Sequence, residues 1–375
     1  MRVNFERERI PAFGQAIIEK SWAEASFKHI ALGGTMDSRW HPAADSIIPS
    51  ERSILPHYYR DIVRVSVGVD FVEVCMKDSR QLLPADRQRL MDEVAEAVQD
   101  AVLVTSGTYA APDLANQLKR SDEFRTVKKN KKAVFTGSLV PLKGFTESDA
   151  GFNLGMSWAA SAQMKPGEVA LCMNGRVIAA GDVAKDTNST VFTPSHPRYN
   201  KWEDFSKIHL ITAGGTIDFV ANGLDRYLPA ARSGVADYLR NLNLRQHVSH
   251  TSNQRLVDSR SLADSDLEAL TQQVLDSKSD KVLITMGIYG MMRLKRRLEE
   301  ESFLAEKKAI IVTGSRFPLK GTELSDAPFN LGYAIGSLAK MRCGVHIALS
   351  GKVLEPNEDV LSIFTEEERD IITSQ

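Results

Sequence analysis

An excess of charge of either sign is missing from this sequence. Its 47 lysines and arginines face 48 aspartates and glutamates, for a net charge of −1. A chain so balanced lacks the broad basic footprint of a dedicated nucleic-acid binder, and that class is excluded. Long apolar runs are missing too. None approaches the roughly 18 residues of a membrane span, so no membrane partner is expected. The opening stretch, MRVNFERERI, is charged and has no apolar signal-peptide core. Cysteine is scarce, with only Cys75, Cys172 and Cys343. Each lies in an apolar, strand-like stretch, which reads as buried thiols in a reducing cytoplasm. The cysteines show no zinc spacing and the histidines are scattered. His247 and His250 share an expected strand, but a three-residue spacing puts them on opposite faces. No metal and no cofactor is expected. Signatures of P-loop, dinucleotide-binding, zinc-protease and α/β-hydrolase sites are all absent.

What is present is ordinary globular composition, 43% hydrophobic and 25% charged, in 375 residues. That allows two or three domains with sizeable cores. Self-comparison resolves the number. KHIALGGT at 28–35 returns as KIHLITAGGT at 207–216. Asp78-Ser79-Arg80 returns as Asp258-Ser259-Arg260, and VLVTSGTY at 102–109 as VLITMGIY at 282–289. KKAVFTGSLVPLKG at 131–144 returns as KKAIIVTGSRFPLKG at 307–321. Ser148-Asp149 and its FNLG return as Ser325-Asp326 and FNLG, and MNGRV at 173–177 as LSGKV at 349–353. Six ordered matches make the chain a tandem duplication of a unit of about 170 residues, the size of one domain. Residues 26–193 form unit one and 205–375 form unit two. Residues 194–204, with two prolines and two aromatics, read as an ordered connector. Residues 1–25 form an N-terminal arm without a counterpart; PAFGQAIIEKSWAEA has a partly helical pattern.

Within unit one, HIALG, VDFVEVCM, AVLVT, KAVFTG and EVALCMN are apolar runs suited to strands buried on both faces. Between them lie amphipathic segments. PADRQRLMDEVAEAVQD places Leu90, Val94 and Val98 at helical spacing, with Pro84 in the first turn. The alternation predicts an α/β protein: two tandem doubly wound parallel-sheet domains, flavodoxin-like in type. Ligand sites in such folds lie at the carboxyl ends of strands, and GGTMD, KDSR, TSGTY and TGS all follow strands directly.

Each motif carries two readings. In GGTMD the glycines allow a sharp turn and close approach to a ligand. Thr35 reads as a nucleophile or carboxylate binder, or as a turn residue with a capping hydroxyl. Asp78 and Ser79 read as helix caps or as ligands for an ammonium and a carboxylate. Unit one keeps Thr108 in its third loop where unit two has Ile288. SDAGFNLG and SDAPFNLG read as helix starts capped by Ser or Asp, and Lys143 and Lys320 as solvated. Lys185, in GDVAKDTNSTVF, has no match in EPNEDVLSIF of unit two. Desolvated beside a hydroxyl, a lysine can accept its proton.

Taken together, these motifs resemble the L-asparaginase family, most closely its small single-domain members. LGGTMD and AGGTID look like its first motif, T-G-G-T-I. DSRQLLPAD and DSRSLADSD look like its D-S-x-x-M-T-x-x-D segment. The TGS…SD…NL and MNGRV…K stretches look like its later segments. The resemblance covers nearly all of both units and implies hydrolysis of a side-chain amide. It makes Thr35 the attacking threonine, Thr108 the second threonine and Lys185 its lysine partner. Gly34, Asp78, Ser79, Gly107 and Tyr109 become substrate-binding positions, and Ser79 matches the substrate-binding serine. Glycine-rich loops supply oxyanion donors. The pattern breaks at the family's H-G-T-D-T loop. Its aspartate, which orients the lysine and helps hold the substrate's ammonium, is Tyr109 here and Tyr289 in unit two. Unit two keeps Thr216, Asp258 and Ser259 but lacks the second threonine and the lysine, so its site is degenerate. Two readings follow. One is an amidohydrolase acting on a small amide such as asparagine through unit one. The other is an inactive relative that binds a small polar ligand or a protein partner. Small relatives associate as dimers, so the two units are expected to form an internal pseudo-dimer, with further self-association open.

Overall fold

The structure is a computed structural model that describes residues 7–10, 27–145, 147–181, 183–185, 192–194, 207–221, 227–244, 247–354, 358–366 and 368–369. The helical pattern expected over 11–25 lies outside these residues, as does nearly all of the expected connector.

The N-terminal arm contributes β1 (Arg7–Ile10) to the sheet of unit one, which itself opens with β2 (Phe27–Gly33), then a hairpin of β3 (Ser38–His41) and β4 (Ser46–Pro49). A short helical turn α1 (Leu55–His57), β5 (Val69–Lys77), α2 (Pro84–Ala95), β6 (Ala101–Thr105), α3 (Ala111–Arg120) and α4 (Asp122–Val127) follow. β7 (Lys132–Thr136), α5 (Ala150–Gln163), β8 (Val169–Met173), β9 (Arg176–Ala179) and the hairpin β10 (Val183–Lys185) with β11 (Phe192–Pro194) complete it. The sheet order is β1-β5-β2-β6-β7-β8-β9. The five central strands are parallel, and β1 and β9 pair antiparallel at the two edges. In order of sequence the parallel strands run 2-1-3-4-5, the flavodoxin-like arrangement, with its switch point between β2 and β6.

Unit two repeats the plan. β12 (Lys207–Gly214), the hairpin β13 (Phe219–Ala221) and β14 (Tyr227–Pro229), α6 (Val235–Asn241), β15 (His247–Val257) and α7 (Asp264–Asp276) come first. β16 (Lys281–Thr285), α8 (Met291–Glu299), α9 (Ser302–Lys307), β17 (Ala309–Thr313), α10 (Ala327–Leu338), β18 (Gly344–Leu349) and β19 (Lys352–Val353) follow. The order β15-β12-β16-β17-β18-β19 again places its switch point between its first and third strands.

Strand residues alternate between faces. In unit one Ile30, Leu32, Val102 and Val104 pack under α2 and α3 with Leu90, Val94, Leu114 and Leu118. Phe71, Leu103 and Val134 face the other way. They join a core that also holds Phe152 of α5 and Leu283, Ile311 and Phe329 of unit two. That core exists because α5 and α10 pack directly on each other. A Cβ on Gly155 would collide with the Phe329 carbonyl, and one on Gly332 with the Phe152 carbonyl. The contacts around the helices are also reciprocal. Tyr58 donates to the Ser325 carbonyl at 2.9 Å, and Tyr238 to the Ser148 carbonyl at 2.9 Å.

Several side chains differ from their sequence reading. Lys143 and Lys320 remain partly exposed, as expected, and in addition pair across the units, with Glu323 at 3.4 Å and with Glu147 respectively. Of the two expected caps, the serines serve: Ser148 Oγ accepts from the Ala150 N–H at 3.1 Å and Ser325 Oγ from the Ala327 N–H at 3.0 Å, whereas Asp149 and Asp326 do not cap their helices with their side chains. Each accepts instead from the backbone of the preceding loop, Asp149 from Leu139 and Val140 at 3.0 and 2.9 Å. Val98 lies beyond the end of α2 and is exposed. Cys343 is exposed in the turn before β18, where no strand forms to bury it, while Cys172 is buried and Cys75 half-buried.

Candidate active site

The switch point of unit one is built by three backbones in close contact. After β2 the chain turns at Gly33 and Gly34, whose φ values of 74° and 84° favour glycine. The Gly34 N–H donates to the Lys77 carbonyl at 3.0 Å, and Ser38 Oγ donates to the Gly34 carbonyl at 2.8 Å. A Cβ on Gly34 would strike the Gly107 backbone, and one on Gly107 would strike Ser79. The loops after β2, β5 and β6 thus meet with no room for larger residues. Thr35 opens a short 3-10 helix rather than capping one.

A cavity of about 210 Å³ opens over this junction. Gly34, Thr35, Asp78, Ser79, Gly107, Thr108 and Tyr109 all line it, so the expected binding positions converge. Lys185 of β10 is not itself a lining residue but donates from Nζ to Oγ1 of the lining Thr108 at 2.8 Å. Burial lowers the pKa of that ammonium. Lys185 Nζ also lies 4.0 Å from the centre of the Tyr109 ring. The position that the resemblance gives to a carboxylate therefore still holds the lysine, through a π face instead of a charge.

Arg80 is a site residue the motif reading passed over, although it recurs in both copies of Asp-Ser-Arg. Its guanidinium lies 5.4 Å from the Tyr109 ring and bonds both oxygens of Asp78, at 3.1 and 2.7 Å. Asp78 also caps the turn at 79–81 by accepting from the Arg80 N–H at 2.9 Å. This pairing with Arg80 holds the Asp78 carboxyl below its ordinary pKa.

Asp37 was likewise not singled out, although it stands in both GGTMD and, as Asp218, in GGTID. It is buried and accepts from Ser53 Oγ at 2.8 Å and the Ile54 N–H at 3.0 Å. Its Oδ2 has no hydrogen-bond partner, and burial pushes its pKa up to about 7.

In unit two the same loops meet in the same way but carry different side chains. Gly215 meets Gly287 and Gly287 meets Ser259, as in unit one. Thr216 opens the matching 3-10 helix, and Asp258 pairs with Arg260 at 2.8 Å. Ser259 Oγ is buried without a hydrogen-bond partner, and Ile288 stands where Thr108 does. Tyr289 has Arg260 at 5.3 Å, but its other close neighbour is Phe364, stacked at 6.0 Å and 12°. Phe364 thus takes the ring contact that Lys185 makes in unit one. Among the described residues no helix is long and apolar enough to cross a membrane, and no acidic, His or Cys cluster could hold a metal.

Fold and site define a doubly wound α/β protein with paired strand-end sites, one holding a lysine bonded to a threonine hydroxyl and one with isoleucine and phenylalanine in their places. A family model for the asparaginase N-terminal domain matches residues 28–205 and again residues 207–361, and the chain belongs to the asparaginase family. Solved structures similar to this chain include a probable cytoplasmic L-asparaginase from Campylobacter jejuni, 17% identical with a TM-score of 0.36. That match covers 69% of this chain and 82% of the other. Another is the thermostable L-asparaginase from Thermococcus kodakarensis, 14% identical with a TM-score of 0.36, covering 85% and 88%. A search of curated proteins finds no match.

Proposed function

We propose that unit one is an amidohydrolase acting on a small amide and that unit two is its non-catalytic support. The observation that carries this is the 2.8 Å bond from Lys185 Nζ to Thr108 Oγ1 at the mouth of a pocket lined by Thr35 and Ser79. Thr35 Oγ attacks the amide carbonyl carbon, forming a C–O bond while the carbonyl π electrons move to its oxygen. The Thr35 proton passes through Thr108 to a neutral Lys185, which returns it to the leaving nitrogen as the C–N bond breaks. Ammonia leaves, and water then cleaves the ester with the same pair as base. Backbone N–H groups of the glycine-rich loops stabilise the oxyanion.

The domain limits follow the repeat: an arm over 1–25, units over 26–193 and 205–375, and a connector over 194–204. The reciprocal contacts of Tyr58 and Tyr238 and of Gly155 and Gly332 support an internal pseudo-dimer. Three free cysteines support a reducing, cytoplasmic setting.

Ammonia release from a panel of small amides tests the enzyme reading. Thr35→Ala is expected to lower kcat about 1,000-fold or more, and Thr108→Val and Lys185→Met about 100-fold or more. Thr216→Ala is expected to change nothing. The second reading, an inactive binding protein, is favoured by the tyrosine that stands at the family's aspartate in both units. No turnover across the panel, with a thermal shift from one of its members, would decide for it.

A further inference from the structure

The charges around Tyr109 carry one step more, which rests on the amidohydrolase reading. We infer that the pocket of unit one selects amides bearing a carboxylate and no neighbouring ammonium group, the succinamate class, over α-amino acids.

Among the described residues lining the pocket, Asp78 supplies the carboxylate, and no glutamate or second aspartate joins it. Both of its oxygens already accept from Arg80. An arriving ammonium would have to draw that carboxylate from its guanidinium and then sit beside Arg80. The aromatic face, the other surface that attracts cations, is engaged as well. Lys185 and Arg80 lie 4.0 and 5.4 Å from the Tyr109 ring centre. A third cation there meets two like charges.

The balance of charge points the same way. In the lining Arg80 and Asp78 cancel, and Lys185, in contact with the lining residues Thr108 and Tyr109, adds one positive charge beside it, which attracts a carboxylate and repels an ammonium. When Lys185 has given up its proton the wall is neutral, and it still offers no unpaired carboxylate. The pocket volume, about 210 Å³, is below the roughly 300–1,000 Å³ of sites for drug-sized ligands. A four-carbon monoamide fits this scale. Succinamate differs from asparagine only in lacking the ammonium, so the pair isolates the effect of that group.

The test compares kcat/KM for succinamate and L-asparagine on the full chain, together with Kd by calorimetry for both compounds. Succinamate is expected to be favoured about tenfold or more. In Tyr109→Asp the new carboxylate is expected to shift the ratio toward asparagine by a similar factor. Asparagine equal to or better than succinamate in the unaltered chain overturns the inference and leaves the amidohydrolase reading standing. If neither is hydrolysed, that reading loses support, and the two Kd values decide the inference alone: tighter succinamate supports it. Tighter asparagine, or binding of neither, overturns it.

Discussion

Lys185 holds its ammonium 4.0 Å from the centre of the Tyr109 ring, and the same nitrogen lies 2.8 Å from Thr108 Oγ1. A flexible side chain on a short edge hairpin is thereby fixed at two points. A cation–π contact is worth about 0.5–2 kcal/mol depending on exposure. Tyr109→Leu removes the ring and is expected to lower kcat by about three- to thirty-fold. Tyr109→Phe keeps the π face and is expected to retain most of the rate. Equal losses in the two variants would show that the phenol hydroxyl, and not the ring, matters.

The pH dependence of turnover has a definite sign. Burial lowers the Lys185 pKa from its ordinary value near 10.5, and only the neutral amine can accept a proton. Activity should therefore rise with pH through this lowered pKa and level off above it. In Lys185→Arg the group stays charged throughout, and that rising limb should vanish. A rate with no rising limb at any pH below 10.5 in the unaltered chain would remove Lys185 from the role of base.

The sequence repeats made the two sheets and their strand-end motifs legible, because buried parallel strands announce themselves as apolar runs and glycine turns follow them. Residues that meet only through the packing of the units were not legible. Lys143 read as solvated because Glu323 lies in the other repeat, and no local periodicity links them. Phe364 stood in a segment with no motif, yet it stacks on Tyr289 and fills the place that Lys185 takes in unit one. Arg80 was visible in both copies of Asp-Ser-Arg, but a surface arginine after a capping aspartate carries no signal until the Tyr109 ring is seen beside it.

Asp37 makes stability fall as pH rises. Its folded pKa is pushed up to about 7 from 3.8 by burial, so between these values the folded chain holds a proton that the unfolded chain has lost. The contribution is complete below the unfolded pKa and is lost on approach to pH 7. The slope is about 1.4 kcal/mol per pH unit where only the folded form is protonated. Asp37→Asn, neutral at every pH, should remove this component from denaturant midpoints measured between pH 4 and 7. An unchanged slope in that variant would assign the pH dependence to other groups.

The close approach of Gly155 to the Phe329 carbonyl, repeated by Gly332 with Phe152, is expected to couple the unfolding of the two units. Neither glycine can carry a side chain without separating α5 from α10, and overpacking of this kind costs about 1–3 kcal/mol or more. The core that α5 and α10 complete holds strand residues of both sheets, Leu103 and Leu283 among them. Loss of the contact should therefore loosen both units together. Native-state hydrogen exchange reads this directly, since backbone amides of β6 and β16 report one unit each. In Gly155→Leu both strands are expected to lose protection by similar free energies, although the substitution lies in unit one. If β16 keeps its full protection while β6 loses it, the units are stable independently and the shared core does not couple them.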